Sequence, residues 1–389
     1  MSSQPSKENK IRLGKSVVGA AEAQAVARVL LEDGYLGMGA EVQAFEAELA
    51  AFLGVPPERV ICVNSGTAAL HLAVEAVTQP GEEVLVQSLT YVASFQAISG
   101  ARAMPVPCEV LPETLTLDLE DAHRRLTPRT RAVMPVHFAG NPGDLDAVYD
   151  FARSHGLRVI EDAAHAFGCR YQGRLIGSFG DVACFSFDGI KNITSGEGGA
   201  VVTADAALAR RLRDARLLGV ERDTQKRYAG QRSWEFEVTH QGYRYHLSNV
   251  LAAIGRVQLT RFPKEFAPRR VALARLYRRR LAELPFVGLF DTDLDQVVPH
   301  IQPLRVLEGR RDALRDFLAQ EGIETGVHYR PNHLLKFYGG GQVRLPLTEQ
   351  LYSELLSLPL HPELTDSEVN RICDRIAAFT ADRQKEAGA

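Results

Sequence analysis

The sequence predicts an α/β protein in which a mostly parallel β-sheet is covered by helices on both faces. Between residues 59 and 203, short apolar runs alternate with helical patterns, as they do in βαβ units. The chain has 389 residues, of which 45% are hydrophobic and 24% charged, and this composition is typical of a globular protein with a large core. A second long helical pattern, from residue 247 to about residue 284, predicts a bridge to a smaller C-terminal domain.

The apolar runs define six strands in the large domain. They are predicted at residues 60–63, 83–87, 132–137, 158–161, 182–187 and 200–203. Helices are predicted between most of them, among them residues 67–77, where Leu70 and Val74 share one face, and residues 144–155, which end before Gly156. This order of elements is that of a parallel sheet with crossover helices.

After the last of these strands the pattern changes. A basic helical segment extends to residue 218, and residues 219–245, rich in charge and aromatic rings, are predicted to form a long functional loop or flap. Pro263 and Pro268 are expected to interrupt the next helical pattern. We therefore expect a flexible N-terminal tail, a large domain, a small domain and a flexible C-terminal tail, at residues 1–10, 11–265, 266–380 and 381–389.

Charge and cysteine content exclude several classes of function. The 45 Lys and Arg residues against 48 Asp and Glu residues give a formal charge of −3, so no basic field exists to bind nucleic acid. No apolar stretch is long enough for a membrane span, and the polar start lacks a secretory signal, so we expect a cytoplasmic protein. The five cysteines are scattered without a C-x-x-C pair, which predicts neither disulfides nor a metal site.

The first candidate site is the turn formed by residues 64–67, which follows a predicted strand and opens a predicted helix. Gly66 and Thr67 lie where unpaired backbone N–H groups and the positive end of a helix dipole can bind a phosphate. Ser and Thr are also preferred as helix caps in any protein, and taken alone this capping interpretation is favoured.

Two further candidates follow later strands. Asp162 and His165 come at the end of the apolar run 157–160, where an acid could meet a cationic ring nitrogen or could simply begin a helix. Lys191 comes five residues after Ser186 in a glycine-rich segment, where it could be a Schiff-base nucleophile or a solvated charge. Each alternative stays open when the motif is considered alone.

The three motifs together indicate one chemistry. Pyridoxal phosphate needs a phosphate cradle, a carboxylate that keeps the pyridine nitrogen protonated, and an amine for its aldehyde. All three occur in this order over an α/β sheet. We therefore expect a pyridoxal phosphate site.

With these motifs the chain resembles the DegT/DnrJ/EryC1/StrS sugar aminotransferases, within the fold type I pyridoxal phosphate enzymes. The resemblance runs from about residue 11 to residue 379, through segments 34–36, 64–70, 161–168, 185–202, 247–259 and 356–365. It implies a mostly parallel seven-stranded sheet in a large domain and a smaller α+β C-terminal domain. It also implies pyridoxal 5'-phosphate, in its PLP and PMP forms, as the cofactor.

The resemblance assigns roles to the candidate residues. It implies that Lys191 is the covalent catalyst and proton carrier, that Asp162 pairs with the pyridinium nitrogen, and that His165 lies near the phenolic oxygen of the cofactor. The phosphate cradle is then matched by a glycine and two hydroxyl side chains, and the aromatic ring that stacks on the cofactor by a tyrosine: Gly66, Thr67, Ser186 and Tyr91.

Other positions are matched less closely. Many relatives place an asparagine in the segment that corresponds to residues 242–246, where it reaches the phosphate bound by the neighbouring subunit, and here the candidates are Arg244 and His246. The resemblance therefore implies a homodimer with sites at the interface. Three further residues are weak candidates for the sugar pocket, namely Tyr35, His328 and Tyr329.

The predicted reaction is transfer of an amino group from L-glutamate to a nucleotide-linked 3-keto or 4-keto (deoxy)sugar. The resemblance implies a ping-pong course through an internal aldimine on Lys191, and the carrier nucleotide could be dTDP, UDP or GDP. The alternatives are a keto-cyclitol aminotransferase of antibiotic biosynthesis and a non-catalytic regulator with the same fold. A dinucleotide-binding protein is disfavoured because the G-x-G-x-x-G turn is missing after the first strand.

Overall fold

The computed structural model describes residues 10–386 except residues 222 and 233, and side chains as far as residue 379. Residues 1–9 of the predicted N-terminal tail and residues 387–389 of the predicted C-terminal tail therefore lie outside the described residues, whereas residues 381–386 belong to the last helix. The helices are α1 (Ala20–Arg28), α2 (Ala40–Leu53), α3 (Gly66–Val77), α4 (Val92–Gly100), α5 (Leu119–Arg124), α6 (Leu145–His155), α7 (Ala206–Ala215), α8 (Asp223–Tyr228), α9 (Asn249–Arg261), α10 (Ala267–Leu281), α11 (Arg311–Gln320), α12 (Pro346–Glu354) and α13 (Asp366–Glu386). The strands are β1 (Val60–Val63), β2 (Glu83–Gln87), β3 (Met104–Cys108), β4 (Thr130–Met134), β5 (Arg158–Asp162), β6 (Arg170–Tyr171), β7 (Arg174–Leu175), β8 (Val182–Ser186), β9 (Gly199–Thr203), β10 (Val287–Gly288), β11 (Gln302–Val306) and β12 (Leu355–Leu358).

The main sheet has seven strands in the order β1-β9-β8-β5-β4-β2-β3. Strand β9 runs antiparallel to both of its neighbours, and the other adjacent pairs are parallel. Every residue of β1, β2, β8 and β9 is buried, because helices cover both faces, and this is why these strands are nearly continuous apolar runs in the sequence. The predicted α/β fold with a mostly parallel seven-stranded sheet is confirmed.

Strand β3 is absent from the six strands that apolar runs predicted. Its sequence contains Pro105 and Pro107, and proline is rare in strands because it cannot donate a hydrogen bond to the ladder. β3 is the edge strand beside β2, and its two prolines are two residues apart, so they face the same side of the strand. The open edge needs no N–H donors, and proline is tolerated there.

A second, three-stranded antiparallel sheet follows in the order β10-β11-β12. Helices α10, α11 and α13 pack around it, with Tyr277, Leu304 and Ile372 in a core of its own. The start of the described chain joins this core, since Ile11 is buried and forms a bridge to Ile323.

At the predicted interruption of the long helical pattern, the structure has a five-residue π-helical segment. Helix α9 continues through Phe262–Phe266 into α10, so the chain stays helical from residue 249 to residue 281. Pro263 and Pro268 are the second residues of the π-helical segment and of α10, so the positions at which proline removes a helical hydrogen bond coincide with the change from α-helical to π-helical geometry and back. Among the described residues, no helix combines the length and the apolar character that a membrane span requires.

Candidate active site

The carboxyl ends of β1, β5 and β8 lie along one edge of the main sheet, because these strands share one direction. A cavity of about 420 Å³ opens at this edge. It brings together most of the predicted site residues, namely Gly66, Thr67, Tyr91, Asp162, His165, Ser186, Lys191, His328 and Tyr329. Such an edge is where open α/β sheets bind their ligands.

The turn after β1 forms one end of the cavity. The Ser65 hydroxyl caps α3 by accepting a hydrogen bond from the Ala68 N–H at 3.0 Å, so the capping interpretation of this turn is correct. The N–H groups of Gly66 and Thr67 lie in the first turn of α3, where they have no partner within the helix. A Cβ at position 66 would lie 2.6 Å from the Cβ of Ser186, so glycine is required for this close approach.

Lys191 lines the cavity and follows a turn in which its N–H donates to the Asp188 carbonyl at 3.1 Å. Its Nζ atom is 3.4 Å from Nε2 of His300. Burial lowers the pKa of Lys191 to about 8, and the nearby carboxylates of Asp162 and Asp188 oppose this effect. A substantial fraction of the amine is therefore neutral near physiological pH, as a nucleophile requires.

Asp162 ends β5 and is buried. Its Oδ2 accepts a hydrogen bond from the Ser94 hydroxyl at 2.7 Å, and its Oδ1 accepts one from the Ala164 N–H at 3.2 Å. Burial raises the pKa of Asp162, whereas these two donors and the charge of Lys191 lower it, and the net direction is upward. The site thus has a buried carboxylate whose basicity is controlled by defined hydrogen bonds.

His165 is the centre of a group of aromatic side chains on one wall. Its Nδ1 accepts a hydrogen bond from the Ala139 N–H at 3.4 Å, so in the neutral ring Nε2 carries the proton and donates to the Tyr329 hydroxyl at 3.1 Å. Its ring centroid is 4.4 Å from that of His300. Burial lowers the pKa of both histidines well below the usual range, so both rings are neutral.

Tyr91 and His328 also line the cavity. The Tyr91 ring is 58% exposed, and its centroid lies 5.5 Å from that of Tyr329. His328 Nδ1 is hydrogen bonded to the Ser357 hydroxyl at 2.8 Å, and burial lowers its pKa to about 4.

These features fit pyridoxal phosphate. The close packing of Gly66 on Ser186 leaves backbone N–H groups and a hydroxyl available to a phosphate, which matches the donor set that a phosphate needs. The buried Asp162 carboxylate and the Lys191 amine line the same cavity. The chain therefore offers the three groups that the cofactor requires.

Three of the predicted site residues do not line this cavity. The Tyr35 carbonyl accepts a hydrogen bond from the Asn249 side chain at 2.9 Å, away from the site. Arg244 and His246 lie on a segment that runs beside the edge strand β1, with bridges from Arg244 to Leu217 and from His246 to Val63.

Two residues of the site were missed by the sequence analysis. Ser94 follows Tyr91 by three residues in the first turn of α4, and a serine in a helix carries no signal of a distant acidic partner. His300 follows Pro299 in a segment without a motif, and only the packing of the chain brings it to Lys191.

Comparison with known proteins agrees with this geometry. The model of the DegT/DnrJ/EryC1/StrS aminotransferase family matches residues 17–377. The dTDP-4-dehydro-2,3,6-trideoxy-D-glucose 4-aminotransferase of Saccharopolyspora spinosa is 38% identical, over 94% of this chain and 95% of its own length.

Two solved structures have the same fold. The aminotransferase TlmJ from Streptoalloteichus hindustanus superposes with a TM-score of 0.88 at 35% identity, over 96% of this chain and 100% of its own. Spr1654 from Streptococcus pneumoniae, in its PLP-form, superposes with a TM-score of 0.85 at 27% identity, over 94% of this chain and 97% of its own. The chain therefore belongs to the DegT/DnrJ/EryC1/StrS aminotransferase family and is an aminotransferase with the type I fold of pyridoxal phosphate enzymes.

Proposed function

We propose that the protein transfers an amino group from L-glutamate to the carbonyl carbon of a nucleotide-linked keto-deoxysugar. The observation that carries this proposal is that a helix N-terminus, a buried carboxylate and a lysine amine open onto one cavity, through Gly66, Asp162 and Lys191. Pyridoxal phosphate, when bound, supplies an electrophilic aldehyde and a ring that accepts electrons.

The residues of this chain have separate tasks in that reaction. The first turn of α3 and Ser186 hold the phosphate, and Asp162 holds a proton on the ring nitrogen. Lys191 carries the proton that moves between the reacting carbon atoms, first for glutamate and then for the sugar, in the same cavity. His165 donates a hydrogen bond from Nε2–H to the Tyr329 hydroxyl and so positions the tyrosine ring against the ligand.

The sugar substrate is inferred from the relatives. The 38% identical protein is a 4-aminotransferase of a dTDP-linked trideoxy keto sugar, and this supports a dTDP-linked 4-keto-deoxysugar as the first substrate to test. A keto-cyclitol remains the alternative within the same chemistry, and a substrate panel separates the two.

We further propose that two copies form a homodimer and share each site. Among the described residues that line the cavity, Lys191 is the only lysine and there is no arginine. A bound phosphate therefore has little positive charge near it. Arg244 lies outside the cavity of its own chain. Trp234 and Phe236, in the same segment of residues 219–245, are exposed, Trp234 by 87%. An Arg244 side chain from a second copy would supply the missing charge.

The test of the function is Lys191→Ala. This variant should lose turnover by at least about a thousandfold, because the covalent catalyst and the proton carrier are removed together. The assay follows 2-oxoglutarate release from L-glutamate with dTDP-4-keto sugars as acceptors, and the visible absorbance of the cofactor held by Lys191 should disappear.

Lys264→Ala is the matched control, because Lys264 is exposed on the π-helical segment. It should keep full activity. Full turnover in Lys191→Ala would refute the catalytic assignment, whereas a wild-type enzyme that releases no 2-oxoglutarate would refute glutamate as the donor.

A further inference from the structure

We propose that Ser94 is a positioning residue that sets the basicity of Asp162 and thereby keeps the proton on the ring nitrogen of the cofactor. The inference rests on the proposed function, since it assumes that Asp162 faces the pyridine ring. It concerns a residue outside the three motifs, on α4, which follows β2 rather than β5.

The contact between the two residues is short and buried. The Ser94 hydroxyl lies 2.7 Å from Asp162 Oδ2, and Ser94 is fully buried while Asp162 is 5% exposed. Because water does not compete in this environment, a hydroxyl that donates to a carboxylate stabilises the ionised form strongly.

A second hydroxyl fixes the direction of this bond. Thr90 Oγ1 lies 3.0 Å from Ser94 Oγ and is also buried. Since Ser94 gives its proton to Asp162, its oxygen is free to accept the proton of Thr90. The Thr90 carbonyl in turn accepts a hydrogen bond from the Asn332 side chain at 2.8 Å, and this bond fixes the backbone of Thr90.

The chemistry follows from competition for one proton. The proton shared by Asp162 and the ring nitrogen resides on the more basic partner, and burial already raises the pKa of Asp162. Without Ser94, the carboxylate becomes more basic by about one to two pKa units, because a hydrogen bond to a charged group contributes that much. The proton then shifts from the ring nitrogen to Asp162, and the ring becomes a weaker electron acceptor.

The charged neighbours of Asp162 do not change this direction. Lys191 and His137 lower the pKa of Asp162 in the wild type and in any Ser94 variant alike. Cys184 and Tyr329 are also near, and burial raises the pKa of both groups so that they stay neutral at physiological pH.

The experiment compares Ser94→Ala with Ser94→Thr, which restores the hydroxyl, and with Ser99→Ala. Ser99 lies on the same helix, and its hydroxyl donates to the Phe95 carbonyl at 3.0 Å, away from Asp162. Pyridoxal phosphate labelled with ¹⁵N in the ring is bound to each variant, and its chemical shift reports the protonation of the ring nitrogen. Ser94→Ala should move this shift toward the unprotonated value and weaken cofactor binding by roughly five- to tenfold, while the other two stay near the wild type.

The cofactor-free protein gives an independent readout. Because Ser94→Ala raises the folded-state pKa of Asp162 further, the variant loses stability where Asp162 is ionised. Its deficit in Tm should therefore be largest at pH values above the pKa of Asp162 and should narrow as the pH falls through that pKa. A purely structural role for the hydroxyl would give a deficit that does not depend on pH.

An unchanged ¹⁵N shift together with a pH-independent deficit would overturn the proposal. Failure of the wild-type protein to bind pyridoxal phosphate would instead contradict the proposed function, so the two failures can be told apart.

Discussion

At the scale of single residues, the site depends on one close approach. Gly66 packs against Ser186 so closely that a Cβ would lie 2.6 Å from the Cβ and 2.9 Å from the Oγ of that serine. The first turn of α3 must therefore shift if any other residue stands at this position. The shift would move the N–H groups of Gly66 and Thr67 away from the phosphate position, which links a backbone requirement to cofactor binding.

Gly66→Ala should weaken the binding of pyridoxal phosphate by at least about tenfold and destabilise the protein by about 1–3 kcal/mol, because of overpacking. Titration of the cofactor-free protein and denaturant unfolding measure the two effects. Gly19→Ala is the control, since a Cβ at that position meets only a Glu22 oxygen at 3.9 Å and the backbone φ is negative. Equal cofactor affinity in both variants would contradict the role of Gly66.

At the scale of elements, a buried group of charges fastens the segment after β9 to the large sheet. Arg216 follows α7 and is fully buried, and its guanidinium donates to Glu46 of α2 at 2.5 Å and to the Cys62 carbonyl of β1 at 2.6 Å. It also donates to the Tyr228 hydroxyl of α8 at 2.8 Å, and Tyr228 donates to Glu46. The Arg216 guanidinium thus connects α2, α8 and β1 at the point where the chain enters residues 219–245, the segment that contains Arg244.

Removal of one member should be costly. Arg216→Ala leaves Glu46 buried without its cation and should destabilise the protein by about 3–5 kcal/mol, whereas Tyr228→Phe removes hydrogen bonds only and should cost about 1–2 kcal/mol. Urea unfolding measures both. Arg153→Ala breaks an ion pair in which both side chains are exposed and should change stability by less than about 0.5 kcal/mol. A small effect of Arg216→Ala would show that the group is not a structural tie.

At the scale of the whole molecule, the proposed dimer makes each site from two chains. Lys191 would come from one copy and Arg244 from the other, so a defect in each can be placed on different chains. In a mixed dimer, one site then carries both defects and the other carries neither.

Lys191→Ala and Arg244→Ala should each be impaired alone and should complement each other when mixed. Random exchange of subunits makes half of the dimers mixed, each with one intact site, so about one quarter of the wild-type activity should return. The measurement is 2-oxoglutarate release after the two variants are unfolded and refolded together. If mass spectrometry verifies subunit exchange and no activity returns, Arg244 does not act in the site that contains Lys191 of the other copy.

The sequence alone determined the α/β fold and the cluster of candidate motifs. Strand and helix periodicity, and residues at the ends of strands, are local signals, and the carboxyl ends of parallel strands meet at one edge by geometry. For this reason Gly66, Asp162 and Lys191, which lie far apart in the sequence, line the same cavity. The edge strand β3 was not predicted, because its two prolines interrupt the residue pattern that is typical of strands.

Only the tertiary structure decided which side chains act on those groups. Ser94 reaches Asp162 from a helix that follows another strand, and His300 reaches Lys191 across more than one hundred residues of sequence. A serine or a histidine looks the same in a sequence whether or not it has such a partner. The pKa values of the carboxylate and the amine depend on burial and on these contacts, and burial exists only once the chain has folded.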